Sequence, residues 1–290
     1  MKATKKFKKL LKNNETIILP GAFNALSAKY VEKFGFKAVY TTGAGITNAM
    51  MGFPDVGLQS FYEIFHQVRY IVNAVDIPVI SDIDNGFGNV LNAIRSAREL
   101  EKIGVAGIQI EDQTFPKKCG HFSGKKIISK KEMAKKLEAI LENRIDQDFT
   151  VIARTDAIAT HGITEAINRG KLYKEIGADI IFIEAPRTVE QIKKIADEIE
   201  GDKLINIVEG ALTPQLDNKI LSEMGFKIIL YPTTTLRASA KAVRKTLELL
   251  KKGNCKSEID ESIISWEERC KITNLAYYYK LEKKYLNNNF

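Results

Sequence analysis

Cysteine is scarce in this sequence: there are three in 290 residues, Cys119, Cys255 and Cys270, with no Cys-x-x-Cys pair. So few thiols exclude a disulfide framework and predict a reducing compartment, the cytoplasm. Long apolar runs are absent too; none approaches the ~20 residues that cross a bilayer, so no membrane partner is expected. Residues 1–14 are basic, but no apolar core or cleavage site follows them. We expect a solvated amphipathic helix there rather than a targeting signal.

Linkers and clustered charge are missing as well. No stretch rich in Gly, Pro or Ser divides the chain, so we predict one domain over residues 1–290. The net charge is +8, but the 44 Lys and Arg are spread along the chain beside many of the 36 Asp and Glu. Nucleic acid is therefore not expected as the partner. A basic protein of this kind favours small anionic substrates.

What the sequence does contain is a regular alternation of strands and helices. Segments with apolar residues at helical spacing, such as "LNAIRSARELEKIG", separate short runs rich in Ile and Val. Those runs are "TIILP", "KAVYTT", "IPVISD", "AGIQIED", "FTVIARTD", "DIIFIEA", "KLINIVE" and "KIILYP". Continuous apolar strands between helices indicate a parallel sheet that is covered on both faces.

An internal repeat narrows the choice of fold. Four segments share one plan, in which Gly ends a helix and a strand begins almost at once. They are "EKFGFKAVY", "EKIGVAGIQI", "KEIGADIIFI" and "SEMGFKIIL". About eight strands result, which predicts a (β/α)8 TIM-type barrel, with a doubly wound open sheet as the alternative. Residues 253–290 break the pattern and are predicted to form a helical C-terminal extension.

Polar residues follow the predicted strands, where a barrel of this type places its chemistry. They are Thr41, Thr42, Asp82, Asp84, Glu111, Asp112, Arg154, Asp156, Glu184, Asn206 and Glu209. Asp82 and Asp84 are two apart, so on a strand they share a face, and their carboxylates repel unless protons or a cation lie between them. Hard oxygen ligands without nearby His or Cys favour Mg²⁺ or Mn²⁺, and Asp55 in "GFPDVG" is within reach of the same ion.

These acidic and small-residue segments also suit other structures. "SDIDNGFG" also suits an Asx-type turn that caps the next helix, whereas an EF-hand fails because Ala93 stands where its bidentate Glu belongs. "TTGAG" (41–45) offers backbone N–H groups to a carboxylate or phosphate. A dinucleotide fingerprint would need a third Gly where this chain has Asn48.

The segment "PKKCGHFSGK" (116–125) places a thiol in a polar loop that follows Glu111 closely. Zinc would need more soft ligands than this loop supplies. Lys117, Lys118 and His121 predict a thiol pKa below its ordinary value of ~8.5. Cys119 is therefore expected to act as a nucleophile or a proton donor rather than as buried filler.

In order along the chain, these motifs resemble the isocitrate lyase / phosphoenolpyruvate mutase superfamily. The resemblance covers most of the chain and rests on "TTGAG", "GFPD", "DIDNGFG", "IEDQ", "KKCGH", "ARTDA", "FIEA", "NIVEG" and "LYP". It implies a (β/α)8 barrel whose last helix is exchanged with a neighbouring subunit, within a homotetramer. Cys-Gly-His in the loop resembles the lyase branch, which cleaves C–C bonds; the mutase and phosphonopyruvate hydrolase branch has Asn-Ser or Asn-Thr there.

The resemblance also implies a role for each matching residue. Mg²⁺ (or Mn²⁺) is expected at Asp82 and Asp84, with help from Asp55 and Glu111. The implied catalytic residues are Cys119 as acid/base, Arg154 as the group that stabilises an alkoxide, Tyr40 as the base, and His121. The implied substrate-binding residues are Thr42, Gly43, Ala44, Gly120, His121, Arg154, Glu184, Asn206 and Arg237.

The activity implied is a Mg²⁺-dependent lyase that cleaves a 2-hydroxy di- or tricarboxylate to pyruvate and a second carboxylate. Val208 in "NIVEG" lacks the hydroxyl of the methylisocitrate lyases' "NITEFG" and favours 2-alkylmalates such as 2,3-dimethylmalate. Arg237 favours 2-methylisocitrate. Oxaloacetate hydrolysis and carboxyphosphonoenolpyruvate or phosphoenolpyruvate mutase chemistry are the alternatives. A Schiff-base aldolase is disfavoured, because no lysine stands at a predicted strand end.

Overall fold

The computed structural model describes residues 1–253 and 256–286, so Cys255 lies outside the described residues. The chain divides into two compact units, Met1–Thr234 and Thr235–Phe290. The prediction of one domain over residues 1–290 stays a prediction. No helix within the described ranges is both long and apolar enough to cross a membrane.

The first unit is a closed barrel of eight parallel strands that pair in chain order, with β8 returning to β1. The strands are β1 (Ile17–Ala22), β2 (Val39–Thr41), β3 (Val79–Asp82), β4 (Gly107–Glu111), β5 (Thr150–Thr155), β6 (Ile180–Ile183), β7 (Lys203–Asn206) and β8 (Ile228–Tyr231). The predicted (β/α)8 barrel is therefore confirmed, and the doubly wound sheet is excluded.

Helices surround this barrel and separate its strands. They are α1 (Ala3–Lys12), α2 (Ala25–Lys33), α3 (Gly43–Ile46), α4 (Phe61–Ala74), α5 (Val90–Lys102), α6 (Lys130–Asn143), α7 (Ile158–Ile176), α8 (Val189–Glu198) and α9 (Asn218–Glu223), with a π-helical turn at Thr47–Met51. The predicted Gly stops are present: Gly177 has a φ of 113° and its N–H bonds the carbonyl of Lys174, which ends α7.

The N-terminal helix α1 is not simply solvated, as the sequence suggested. Phe7 is fully buried in one apolar cluster with residues from the starts of several strands, including Ile17, Ile180 and Ile228. On the helix's polar side, Lys8 pairs with Asp179, which directly precedes β6. The helix is amphipathic, as predicted, but its apolar face closes the N-terminal end of the barrel.

The second unit holds the predicted helical extension. Its helices are α10 (Thr234–Lys252), which begins at the last residue of the first unit, α11 (Lys256–Ser262), α12 (Trp266–Ile272) and α13 (Leu275–Leu286). Within α12 the Arg269 guanidinium lies 4.3 Å from the Trp266 ring centre, and in α13 the rings of Tyr277 and Tyr278 meet edge-on. The aromatic residues that mark this segment in the sequence therefore lie on helices.

Candidate active site

The alternation of side chains along each strand decides which polar groups face the barrel interior. Ile80, Ile152, Phe182 and Leu204 belong to the interior apolar cluster. Residues two further along share their direction. These are Asp82, Arg154, Glu184 and Asn206, and all four are buried. Glu111 joins them, because β4 pairs with β5 in the register that sets Glu111 beside Arg154.

Asp82 and Asp84 lie at the end of β3 in a tight turn. The N–H of Asp84 donates to Asp82 Oδ1 (3.0 Å), and Asp84 itself has a φ of 48°. The Asx-type turn considered from the sequence is thus present, formed by the same carboxylate. Burial, and after it the neighbouring Asp84 carboxylate, raise the pKa of Asp82 to about 6. A cation in contact would reverse that effect.

Lys117, from the cysteine loop, contacts two neighbouring carboxylates and opposes the rise in the pKa of Asp82 without cancelling it. Its Nζ lies 2.7 Å from Asp55 Oδ1 and 2.7 Å from Asp84 Oδ1, and all three side chains are buried. Burial alone would lower the pKa of Lys117, but Asp84 and Asp55 outweigh it and hold that pKa well above its ordinary value. Lys117, which the sequence predicts to lower the pKa of the thiol, instead pairs with the carboxylates of Asp55 and Asp84.

The "TTGAG" turn packs its backbone directly against these carboxylates. Thr42 caps α3 by accepting the N–H of Gly45 (3.2 Å), and the N–H of Gly43 donates to Asp82 Oδ2 (3.3 Å). A Cβ at position 43 would lie 3.0 Å from Asp82 Oδ2 and 3.3 Å from Asp84 Oδ1. Only glycine fits at position 43 without displacing the acidic groups, so the Gly43 backbone lines the carboxylates of Asp82 and Asp84. The substrate-binding roles of Thr42, Gly43 and Ala44 stay predictions.

Arg154 connects three acidic side chains at the centre of the rim. Its guanidinium holds Asp156 in a two-point contact (2.9 and 3.1 Å) and lies 3.3 Å from Glu111 and 3.7 Å from Glu184. Burial raises the pKa of Glu111 well above its usual range, although Arg154 opposes the shift. The bidentate contact with Asp156 therefore fixes the guanidinium in place beside Glu111 and Glu184.

The far wall carries Glu184, Asn206 and His121. Asn206 Nδ2 donates to both Glu184 oxygens at 3.3 Å, and His121 Nε2 lies 3.5 Å from Glu184 Oε1. Burial lowers the pKa of His121, so its imidazole is neutral at pH 7. Leu212 N donates to His121 Nδ1 at 3.5 Å, which leaves the proton on Nε2, facing the site.

The cysteine loop is folded down onto this rim. Cys119 N donates to the Asp55 carbonyl (3.0 Å), and Lys125 contacts Asp156 (3.3 Å) and donates to the Gly120 carbonyl. A Cβ at Gly120 would lie 2.1 Å from Glu184 Oε1 and 2.5 Å from Arg154 Nη2. The loop backbone therefore touches the strand-end residues.

The predicted lowering of the thiol pKa is wrong. Burial is the largest influence on Cys119 and raises its pKa, while a backbone hydrogen bond to His121 opposes the shift only in part. Asp55 and Glu184 raise the pKa further, whereas Lys117 is occupied by Asp55 and Asp84. A thiol that keeps its proton at neutral pH suits an acid better than a nucleophile.

Tyr40 lies inside the barrel, where its hydroxyl donates to Gln109 Oε1 (2.5 Å). Burial and the nearby Asp82 carboxylate raise the pKa of Tyr40 well above its ordinary value. Its implied role as a base stays a prediction, and this environment favours the phenol as a hydrogen-bond donor.

The carboxylates at this end fit a divalent cation in kind. They are hard oxygen ligands, and both oxygens of Glu111 are buried without a hydrogen-bond donor among the described residues. Across residues 1–253 and 256–286, however, no three His, Cys, Asp or Glu side chains are grouped so as to hold a metal by themselves. The Lys117 ammonium lies between two of the implied ligands, so a cation would have to share them with it.

Some site residues were not singled out from the sequence. Gln59 is buried and donates to Asp84 Oδ2 (2.9 Å), and Lys125 pairs with Asp156; neither lies at a strand end, so no pattern marked them. Asp112 has a structural role: it accepts from Thr155, from the N–H of Asp156, and from Arg169 and Tyr173 of α7. Arg237 lies on α10 in the second unit, and its substrate-binding role stays a prediction.

The chain is similar to proteins of known family. Residues 7–251 match the family model described as phosphoenolpyruvate phosphomutase. The chain is similar to 2,3-dimethylmalate lyase of Eubacterium barkeri, with 42% identity over 98% of this chain and 99% of the relative. It is also similar to 2-methylisocitrate lyase of Aeropyrum pernix, with 39% identity over 96% of this chain and 88% of the relative.

The chain is similar to solved structures as well. Oxaloacetate acetylhydrolase in complex with the inhibitor 3,3-difluorooxalacetate is 30% identical, with a TM-score of 0.93 over 100% of this chain and 99% of that one. Phosphonopyruvate hydrolase in complex with oxalate and Mg²⁺ is 30% identical, with a TM-score of 0.88 over 99% of this chain and 100% of that one.

Replacing Lys117 is expected to release the cysteine loop. In Lys117→Met the buried carboxylates of Asp55 and Asp84 lose their cation. Their uncompensated charge destabilises the folded-down position of the loop. We expect chymotrypsin to cleave after the exposed Phe122 about tenfold faster or more, since ~1.4 kcal/mol corresponds to a factor of ten. Lys118→Met is the matched control, because Gln113 holds the main chain of Lys118 rather than its side chain. Equal cleavage rates in the two variants would contradict the pairing.

The raised pKa of Cys119 is measurable by alkylation. In a Cys255→Ser/Cys270→Ser background, the rate of iodoacetamide reaction follows the thiolate fraction. Because the folded-state pKa is raised, the thiol keeps its proton as the pH rises through ~8.5, and the midpoint is expected above that value. The same variant unfolded in urea gives the reference midpoint. A folded-state midpoint below the unfolded one would show that Lys117 and His121 lower the pKa after all.

Proposed function

The chain belongs to the phosphoenolpyruvate mutase/isocitrate lyase superfamily and is an enzyme of that group, and we propose that it is a Mg²⁺-dependent carbon–carbon lyase. Its proposed substrate is a 2-hydroxy acid with a second carboxylate on the adjacent carbon. The proposed products are pyruvate and a second carboxylic acid.

One contact carries this proposal: the approach of the loop backbone at Gly120 to Glu184 and Arg154. It brings Cys119, the neighbouring residue, to a rim that already holds a guanidinium and an amide for binding carboxylates. Burial keeps the thiol protonated at neutral pH. A proton donor is the group that a C–C cleavage needs beside the carbon left with the electron pair.

The proposed reaction follows the charges of these residues. The hydroxyl at C2 loses its proton to a base, the C2–C3 bond breaks, and its electron pair moves to C3 as C2 becomes a carbonyl. Cys119 then gives its proton to C3, a step of the kind worth about 10²–10⁴-fold in rate. A divalent cation held by Asp82, Asp84, Asp55 and Glu111 would supply Lewis-acid stabilisation of negative charge on the substrate's oxygens.

Substrate binding divides between the two walls of the site. The backbone of Thr42, Gly43 and Ala44 is proposed to hold the carboxylate of the 2-oxo acid. Gly120, His121, Glu184 and Asn206 are proposed to hold the other fragment. The neutral imidazole of His121 offers its Nε2 proton, and Arg154 attracts the oxyanion that develops at C2.

For the substrate we propose a 2-alkylmalate such as 2,3-dimethylmalate. Val208 adds no hydroxyl near Asn206 for a third carboxylate, and the relative from Eubacterium barkeri is named for this substrate. The second candidate is 2-methylisocitrate, favoured by Arg237 and by the Aeropyrum pernix relative. Oxaloacetate hydrolysis is a third, favoured by the similarity to oxaloacetate acetylhydrolase.

A substrate panel separates these activities. Purified protein with Mg²⁺ is incubated with 2,3-dimethylmalate, 2-methylisocitrate, oxaloacetate or phosphonopyruvate. Release of a 2-oxo acid is followed, except with oxaloacetate, whose hydrolysis consumes the 2-oxo acid and is followed by the oxalate and acetate released. We expect pyruvate from a 2-methyl-substituted hydroxy acid, lost with EDTA and reduced about 10²–10⁴-fold in Cys119→Ser. Cys270→Ser is the matched thiol control. Full activity in Cys119→Ser would refute the proton-donor role, and turnover of phosphonopyruvate alone would assign the protein to the other branch.

For assembly we propose a homotetramer that exchanges its last barrel helix, in the cytoplasm. On α10, Val243, Leu247 and Leu250 follow one another at helical spacing and are exposed, which suits a helix that packs on a neighbouring subunit. Cys119 and Cys270 are free thiols, as in a reducing compartment.

Sedimentation equilibrium tests the assembly. The expected mass is about four times the 32.6 kDa of one chain. Val243→Asp/Leu247→Asp should shift the protein to smaller species, because a charge would be buried at the interface. The control Lys245→Asp, on the opposite side of α10, should not. A single-chain mass for the unsubstituted protein would rule the proposal out.

A further inference from the structure

The turn that carries Asp84 has an uncommon backbone. Asp84, Gly86, Phe87 and Gly88 have φ values of 48°, 87°, 59° and 147°. Side chains disfavour this region, and Asp84 and Phe87 occupy it without being glycine. Such a conformation persists only where surrounding groups hold it. The question is which groups hold it.

On the side of the turn that faces the barrel interior, the groups that hold it belong to the candidate active site. Asp82 Oδ1 accepts the N–H of Asp84, and Gln59 donates to Asp84 Oδ2. Neither contact reaches Asn85–Gly88, the part of the turn furthest from the acidic cluster.

On the helix side that part is held by Lys136. This residue lies on α6, is 3% exposed, and its ammonium donates to the carbonyls of Asn85 (3.0 Å) and Gly88 (2.9 Å). Two carbonyls three residues apart are thereby drawn to one point. The two bonds span three of the four residues with positive φ values, Gly86 to Gly88, and begin at the residue that follows Asp84.

Ion pairing does not account for this lysine. Within the described ranges, no Asp or Glu oxygen lies within 4.0 Å of Lys136 Nζ; burial lowers the pKa of Lys136, and Glu132, which opposes that shift, is one turn away. Burying an ammonium without a paired carboxylate costs free energy, so overall stability is a poor explanation for Lys136. Its neighbour Lys135 contrasts with it: it is exposed and pairs with Glu138 at 2.5 Å.

We propose that Lys136 is a positioning residue for the metal-binding turn. From α6 it donates to the carbonyls of Asn85 and Gly88. These bonds keep Asp84 in its left-handed conformation, with its carboxylate directed at Gln59 and Lys117. The part of this proposal that concerns the metal rests on the proposed function. The part that concerns the backbone does not.

Lys136→Met, with Lys135→Met as matched control, tests both parts. In metal-free protein, hydrogen exchange over residues 83–89 is expected to be about tenfold faster or more in Lys136→Met, since its charged donors are lost. Exchange over residues 165–173 of α7 should not change. Mn²⁺ binding measured by calorimetry is expected to weaken about 10–100-fold, the usual cost of losing a group that orients a ligand. Lys135→Met should match the unsubstituted protein in all three measurements.

Two further variants keep the test decisive. Lys136→Arg retains several donors and should recover most of the protection and affinity, and Lys136→Gln replaces Lys136→Met should the latter not fold. Unchanged exchange over residues 83–89 in the Met or Gln variant would overturn the proposal. Faster exchange everywhere, with Mn²⁺ affinity of the folded protein retained, would assign Lys136 to stability alone and overturn it too. If the unsubstituted protein binds no Mn²⁺, the metal in the proposed function fails, and the exchange data decide on Lys136.

Discussion

Four carboxylates, those of Asp55, Asp82, Asp84 and Glu111, lie buried together at the C-terminal end of the barrel, and they require positive charge nearby. An isolated buried charge is far less stable than one in water, so the surrounding chain must supply cations. Arg154 does so from a strand, whereas Lys117 does so from a loop. The loop that carries the thiol is thus held in place by the charge requirement of the rim. The same contact therefore brings the Cys119 thiol to the acidic side chains.

Much of this arrangement was predictable because it is local in sequence. Apolar runs bounded by helical segments define buried parallel strands, and Gly after an apolar helix residue marks a stop, so the barrel and its rim residues followed. These signals depend on neighbours along the chain, which a single sequence displays. Asp82 and Asp84 do lie together, but strand spacing is not the reason: β3 ends at Asp82, and a tight turn with a φ of 48° at Asp84 keeps the two residues close.

What could not be predicted depends on partners distant in sequence. Lys117 is close to Cys119 along the chain, and this proximity predicts that it lowers the pKa of the thiol. In the folded protein it pairs with Asp55 and Asp84 instead. Burial, which decides the pKa of Cys119, is likewise a property of the folded loop. The sequence predicts that Phe7 lies on a solvated helix, because the strand starts that bury it are far away along the chain. Lys136 gives no sequence signal at all among the many lysines of its helix.

Asp112 illustrates a further property of this rim. It follows Glu111 directly, yet strand alternation turns it outward, where Thr155, Asp156, Arg169 and Tyr173 occupy its oxygens. Glu111 faces Arg154 at the barrel rim, whereas Asp112 ties β5 to α7. The candidate-site carboxylate and the scaffold carboxylate therefore lie on opposite faces of the chain at the end of β4. Because Asp156 donates its N–H to Asp112 and accepts from Arg154 through its carboxylate, the outward network also sets the position of the inward guanidinium, so a substitution at Asp112 is felt at the rim.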